Sequence, residues 1–187
     1  MRKPSLVAAA LVAALLPNPS QAQTTQKTMW AFHAGFVIPE EESFYVDDPV
    51  DAWLDREMSF LFGATLYRMA SENFWYGPYA EIETIDLDVE TGTRLGGGFA
   101  FSGRYPARGT GLQAGGTLGL SHASAGDFDS QFGIDYSMAV GLVFPISPAM
   151  DLGIHAVGFH GWYGGGDVPE GVLNSNARVR VQLQMRR

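Results

Sequence analysis

The chain has 187 residues, of which 46% are apolar and 17% are charged, and this length favours a single domain. It contains no cysteine, which excludes disulfides, thiolate metal sites and a cysteine nucleophile. Acidic residues outnumber Lys and Arg by 20 to 12, so there is no basic surface for phosphate backbones and we expect no nucleic-acid partner.

The N-terminus has the features of a secretory signal peptide. Two cations are followed by an unbroken apolar run of 11 residues, Leu6–Leu16, and then by a Pro-Asn-Pro sequence and small residues. A transmembrane helix needs about 20 apolar residues, so this run is too short to span a bilayer. We therefore expect residues 1–22 to be a cleaved signal peptide and residues 23–187 to be the mature domain.

The mature chain is a succession of segments in which large apolar residues alternate with small or polar residues. Between Phe132 and Phe144, seven large apolar side chains share one face, whereas Asp135 and Ser137 belong to the other. A period of two predicts β-strands. Eight such strands are predicted, over residues 28–38, 58–70, 74–87, 94–105, 111–122, 132–144, 150–162 and 173–185.

The predicted connections alternate between short and long. The short ones are 71–73, 106–110 and 145–149, and the longer ones are 39–57, 88–93, 123–131 and 163–172. Short turns at one end and longer loops at the other are typical of hairpins arranged in a barrel. The pattern therefore predicts an all-β fold, an eight-stranded antiparallel up-and-down barrel.

The chemistry of the two faces predicts where such a barrel resides. The polar face is rich in small residues and sparsely charged, which suits the narrow lumen of an eight-stranded barrel better than a water-facing surface. The apolar face then meets lipid, as in a transmembrane barrel of the bacterial outer membrane. Aromatic residues near strand ends, including Trp30, Tyr67, Trp75 and Trp162, predict interfacial girdles. A soluble periplasmic ligand-binding barrel with reversed faces is the alternative.

With these features the mature chain resembles the small outer-membrane β-barrel proteins of Gram-negative bacteria, the group that includes the transmembrane domain of outer-membrane protein A. The resemblance rests on the predicted signal peptide, the eight strands and turns such as Phe144–Pro148. It implies a monomer that contacts outer-membrane lipid and lipopolysaccharide and is inserted by the barrel assembly machinery. Such proteins usually end in an aromatic residue, whereas this chain ends in Met185, Arg186 and Arg187.

An acidic stretch occupies the longest predicted loop. Residues 40–57 carry eight acids against one cation, Arg56. Oxygen ligands at this density can bind Ca²⁺ or Mg²⁺, but the stretch lacks the residue order of an EF-hand. We interpret it as a solvated surface loop. No metal site and no cofactor are predicted.

A second group of candidate residues consists of charged side chains on the predicted lumen face. They are Glu81, Glu83, Arg104, Asp135, His155, Arg178 and Arg180. Inside a narrow barrel these charges should pair, because an unpaired buried charge is costly. The set then acts as a plug that stabilises the barrel, or as a gate that opens a small water path when partners switch. We favour the plug, because eight strands leave little room for a channel.

The third candidate is the pair His122 and Ser124, at the end of the fifth predicted strand. Two residues apart, they share the lipid face, where a serine activated by a histidine could attack an ester. The spacing resembles that of outer-membrane lipid A deacylases. Ala125 stands where that family has Asn, and the candidate acid, Asp135, belongs to the opposite face.

From the sequence we expect a non-enzymatic outer-membrane barrel with a role in envelope structure, adhesion or limited permeability. The alternative from a different class is a lipid A deacylase-like esterase that uses His122 and Ser124, with Asp135 as the acid.

Overall fold

The computed structural model describes residues 28–38, 59–86, 91–125, 128–165 and 168–186. The predicted signal peptide and the acidic stretch 40–57 lie outside these ranges. The regular elements are eight strands: β1 Thr28–Ile38, β2 Ser59–Ser71, β3 Phe74–Asp86, β4 Thr91–Tyr105, β5 Gly111–Ala125, β6 Phe128–Ser147, β7 Met150–Gly165 and β8 Val168–Arg186. No helix among the described residues is long and apolar enough to cross a membrane.

The eight strands form one closed barrel. Each strand pairs antiparallel with its neighbours in sequence, and β1 also pairs antiparallel with β8. Closure leaves no unpaired sheet edge. The predicted fold, an all-β eight-stranded antiparallel up-and-down barrel, is confirmed.

The strands are staggered around the barrel. Ala31 of β1 pairs directly with Gln184 of β8. The path of paired residues that leads from Ala31 through β2 to β7 instead reaches β8 at Asn174, ten residues away. A closed barrel requires such a stagger because its strands tilt relative to the axis. The tilt brings side chains from sequence-distant strands to the same height in the lumen.

At one end of the barrel the strands extend further than predicted. β5 continues to Ala125 and β6 begins at Phe128, although 123–131 was expected to be a loop. β7 and β8 likewise extend into the predicted loop 163–172. The ladder depends on backbone hydrogen bonds, whereas the sequence pattern depends on one face being apolar. Pairing therefore continues where the alternation ends.

The large apolar side chains lie on the outside of the barrel. On β6, Val140 is 55% exposed, whereas Asp135 and Ser137 of the same strand are buried in the lumen. The other exposed apolar positions of this strand are Phe132, Ile134, Tyr136, Met138, Leu142, Phe144 and Ile146. A continuous apolar exterior of this kind suits lipid and would be unstable in water. The predicted faces are confirmed, and the reversed assignment is wrong.

Two aromatic residues that were expected at the membrane interfaces lie inside the barrel instead. Tyr67 and Trp75 are buried and form an apolar cluster with Met29, Ala31, Tyr79 and Ala100. Both flank the tight turn between β2 and β3, so the cluster fills the lumen near the end that carries the short turns. Proximity to a strand end did not reveal that these two residues belong to the lumen-facing positions of their strands.

On a lipid-facing exterior, the free-energy cost of introducing a charged side chain depends on its depth in the bilayer. We expect Val140→Arg, near the middle of β6, to destabilise the inserted barrel by roughly 2–4 kcal/mol. Ile146→Arg, on the same face near the end of β6, should cost about 0–1 kcal/mol, because the cation reaches the interface. Reversible unfolding by urea from lipid bilayers measures both. Equal costs at the two positions would contradict the assignment of the exterior to lipid.

Candidate functional site

The centre of the lumen is organised by Arg94 of β4, which contacts three carboxylates. Its Nε donates to Glu83 at 2.6 Å, and its Nη1 donates to Asp135 at 3.0 Å. Its Nη2 donates to Glu81. Arg94 is 1% exposed and Glu83 is fully buried. One guanidinium thus connects β3, β4 and β6 through the inside of the barrel.

Arg178 of β8 contacts two of these carboxylates, Glu81 and Glu83, from another side. Its Nη1 donates to Glu81 at 2.9 Å, its Nη2 to Glu83 at 3.0 Å, and its Nε to Asn176 at 2.7 Å. The ring of Phe159 on β7 lies 3.6 Å from the Arg178 guanidinium carbon and 4.7 Å from that of Arg94, measured to the ring centroid. Desolvated cation–π contacts of this kind are stabilising. We call Glu81, Glu83, Arg94, Asp135 and Arg178 the central network.

Two further side chains attach the central network to its surroundings. The Tyr79 hydroxyl donates to Asp135 at 2.9 Å. The Nε2 atom of His33 on β1 lies 3.1 Å from a Glu81 oxygen, within hydrogen-bond distance. Together with Phe159, these contacts bring β1, β3, β4, β6, β7 and β8 into one cross-lumen assembly. These contacts span the lumen from several sides.

Glycines on the lumen wall provide the space that the central network occupies. A Cβ atom at Gly96 would lie 2.6 Å from Nη1 of Arg94. A Cβ atom at Gly119 would collide with the Tyr79 hydroxyl. The small-residue face of β4 and β5 is therefore the counterpart of the bulky charged side chains opposite.

A second polar assembly lies at the end that carries the short turns. Nη1 of Arg104 donates to Asp151 at 2.8 Å, and Arg186 also pairs with Asp151. The side chain of Arg104 reaches the carbonyl oxygen of Gly109 in the turn between β4 and β5. Above it, Gln184 donates to Gln113 at 2.6 Å. We call Arg104, Asp151 and Arg186 the turn-end network.

The predicted lumen residues occupy three levels of the barrel. Glu81, Glu83, Asp135 and Arg178 belong to the central network, and Arg104 belongs to the turn-end network. His155 and Arg180 pair with each other across β7 and β8, between the two networks. Among the described residues, no group of three or more His, Asp or Glu side chains is arranged to hold a metal ion.

Sequence reasoning missed Arg94 and Asp151, although both complete an ion-pair network. Arg94 alternates in step with Ser102 and Arg104 on β4, and Asp151 alternates in step with His155 on β7. The alternation along each strand was therefore sufficient to predict that both side chains face the lumen. It could not predict which residues they pair with, because β4 and β6 approach each other only in the closed barrel.

His122 and Ser124 lie on the exterior, and the structure does not bring them together with Asp135. The ring of His122 packs edge-on against Phe132, with 4.7 Å between the centroids. Ser124 lies at an irregularity in the pairing of β5 with β6. Asp135 is in the lumen, where Arg94 and Tyr79 occupy its oxygens. No hydrogen bond joins His122 to Ser124 in the described part of the chain.

No protein-family model and no curated protein matches the sequence. Among solved structures, the chain is similar to neisserial surface protein A, with a TM-score of 0.58 and 10% identity over 85% of this chain and 96% of that one. It is also similar to the outer membrane protein OprG from Pseudomonas aeruginosa, with a TM-score of 0.53 and 8% identity over 89% and 98% of the two chains. At these identities the similarity concerns the fold.

The closed eight-stranded meander, its apolar exterior and its charged lumen together define a transmembrane β-barrel. The chain has the fold of the small eight-stranded β-barrels of the bacterial outer membrane.

The central network generates a stability prediction. Arg94→Met removes the cation shared by Glu81, Glu83 and Asp135, and we expect a loss of about 3–5 kcal/mol, because buried carboxylates remain without compensation. Arg68→Met is the matched control, since Arg68 is exposed on the exterior of β2 and makes no ion pair with a described residue. The control should change stability by no more than about 0.5 kcal/mol. Urea unfolding followed by tryptophan fluorescence measures the free energy of unfolding of both variants. An equal loss in the two would contradict the proposed contribution of the central network to stability.

Proposed function

We propose that this protein is a closed, non-enzymatic outer-membrane barrel with a structural role in the envelope. In this role the barrel holds its extracellular loops at the cell surface and does not conduct solutes. The observation that carries the proposal is the central network, in which Arg94 and Arg178 bind carboxylates from β3 and β6 across the lumen.

The space left in the lumen supports a closed barrel. Two cavities lie on either side of Arg180, and each has room for about one water molecule. On one side of these cavities, the guanidiniums of Arg94 and Arg178 stack on Phe159 inside the lumen. Toward the end that carries the short turns, Gln113, Gln184 and the turn-end network bridge the lumen. A solute would have to break several buried ion pairs to pass.

The orientation of the barrel follows from its connections. The short turns 72–73, 106–110 and 148–149 lie at the same end as the beginning of β1 and the end of β8. Outer-membrane barrels have short periplasmic turns and longer extracellular loops. The opposite end, where residues 39–58 join β1 to β2, then faces outward. The acidic stretch within 39–58 contributes negative charge at this surface.

The proposed partners follow from the exterior. Its apolar belt contacts outer-membrane lipid, including the acyl chains of lipopolysaccharide in the outer leaflet. Val181, Leu183 and Met185 continue this belt along β8, and we propose that the barrel assembly machinery recognises this strand. Because closure pairs every strand on both sides, we propose that the barrel is a monomer.

Conductance in planar lipid bilayers tests the closed lumen. We expect the wild-type protein to show little or no conductance, because the central network blocks the axis. Arg178→Ala should raise conductance, since it removes the bridge to Glu81 and Glu83 and the stack on Phe159. Leu120→Ala on the exterior of β5 is the control and should behave like the wild type. A large and steady wild-type conductance would contradict the proposal.

A further inference from the structure

Arg180 differs from the other arginines of the lumen. Arg94, Arg104, Arg178 and Arg186 each have a carboxylate within 4.0 Å. Arg180 has no such carboxylate and no hydrogen bond among the described residues, and its Nε is buried. This guanidinium is therefore a lumen cation without a protein counter-ion in direct contact.

His155 lies beside Arg180 and is also unpartnered. It pairs with Arg180 across β7 and β8 and is 2% exposed. Neither of its ring nitrogens finds a hydrogen-bond partner among the described residues. A neutral imidazole offers one N–H donor, which needs an acceptor when it is buried. The two side chains thus leave unused donors at one place in the lumen.

The cavity that both side chains line offers hydrogen-bond donors but no negatively charged side chain. Its other polar side chains include Thr65, Tyr67, Thr117 and Gln182, each of which can donate an N–H or O–H. No Asp or Glu is among its lining residues. Glu81 lines the cavity on the far side of Arg180, but its two oxygens already contact Arg94, Arg178 and His33.

We propose that Arg180 and His155 bind one small monovalent inorganic anion, of the size of chloride, in this cavity. The cation supplies the charge, and the surrounding hydroxyl, amide and imidazole groups supply the hydrogen-bond donors. A water molecule would satisfy the donors but would leave the charge of Arg180 without a contacting partner, which is costly in a buried site. A volume near that of one water molecule excludes phosphate and organic carboxylates.

Crystals of the folded protein grown in bromide test the site directly. Bromide scatters anomalously, so a peak in the anomalous difference map within hydrogen-bond distance of Arg180 and His155 is expected. Absence of the peak from the wild-type protein, or peaks at the surface alone, would overturn the proposal. In Arg180→Gln crystals the peak should be lost, and its persistence there would also overturn the assignment.

A second measurement works in detergent solution and needs no crystals. At constant ionic strength, replacement of gluconate by chloride should raise the thermal unfolding temperature of the wild type, because the anion binds the folded barrel alone. Arg180→Gln should lose this rise, whereas Arg68→Gln, on the exterior, should keep it. If Arg180→Gln does not fold, His155→Phe takes its place in the test. This variant keeps an aromatic ring but lacks the N–H donor, and it should show a smaller rise in unfolding temperature. A rise that is equal in all variants would show general salt effects and overturn the site.

Discussion

Closure of the backbone is the constraint on which the rest of this structure depends. In hydrocarbon, each unpaired N–H or C=O group costs several kcal/mol, so strands can cross a membrane only in a barrel without edges. The pairing of β1 with β8 meets this requirement. Closure with eight strands also makes the lumen narrow, just wide enough for side chains. The interior is therefore packed with side chains, and its polar and charged groups must find their hydrogen-bond and ion-pair partners among one another.

The narrow lumen accounts for the character of the charged assemblies. Carboxylates and guanidiniums that are removed from water need close partners, and Glu81, Glu83 and Asp135 find them in Arg94 and Arg178. Apolar contacts complete the filling, through Phe159 at the centre and the cluster around Trp75 at the turn end. The ion pairs of Arg94 with Asp135 and of Arg178 with Glu83 join strands that are not neighbours in the sheet, so they form only because closure brings these strands to face each other across the lumen. Arg180 departs from this rule, because no carboxylate of the described residues lies within ion-pair distance of its guanidinium.

The period of two in the sequence was enough to predict the eight strands and the face each residue occupies. It placed Val140 outside and Asp135 inside, and the structure agrees. It was less informative at the end opposite the short turns, where β5 to β8 continue beyond the alternating sequence pattern. Position near a strand end was a poor guide for Tyr67 and Trp75, whose parity directs them into the lumen.

The sequence by itself determined the architecture, because alternation sets which side chains face lipid and closure follows from what lipid demands of the backbone. It did not determine which charges meet. Glu81 and Arg178 are 97 residues apart, and Arg94 and Asp135 are 41 apart. Their heights in the lumen depend on the stagger accumulated around all eight strands, which parity along a single strand does not encode. The tertiary structure alone decided the composition of the central network and the separation of Arg180 from it, because both depend on distances across the closed barrel.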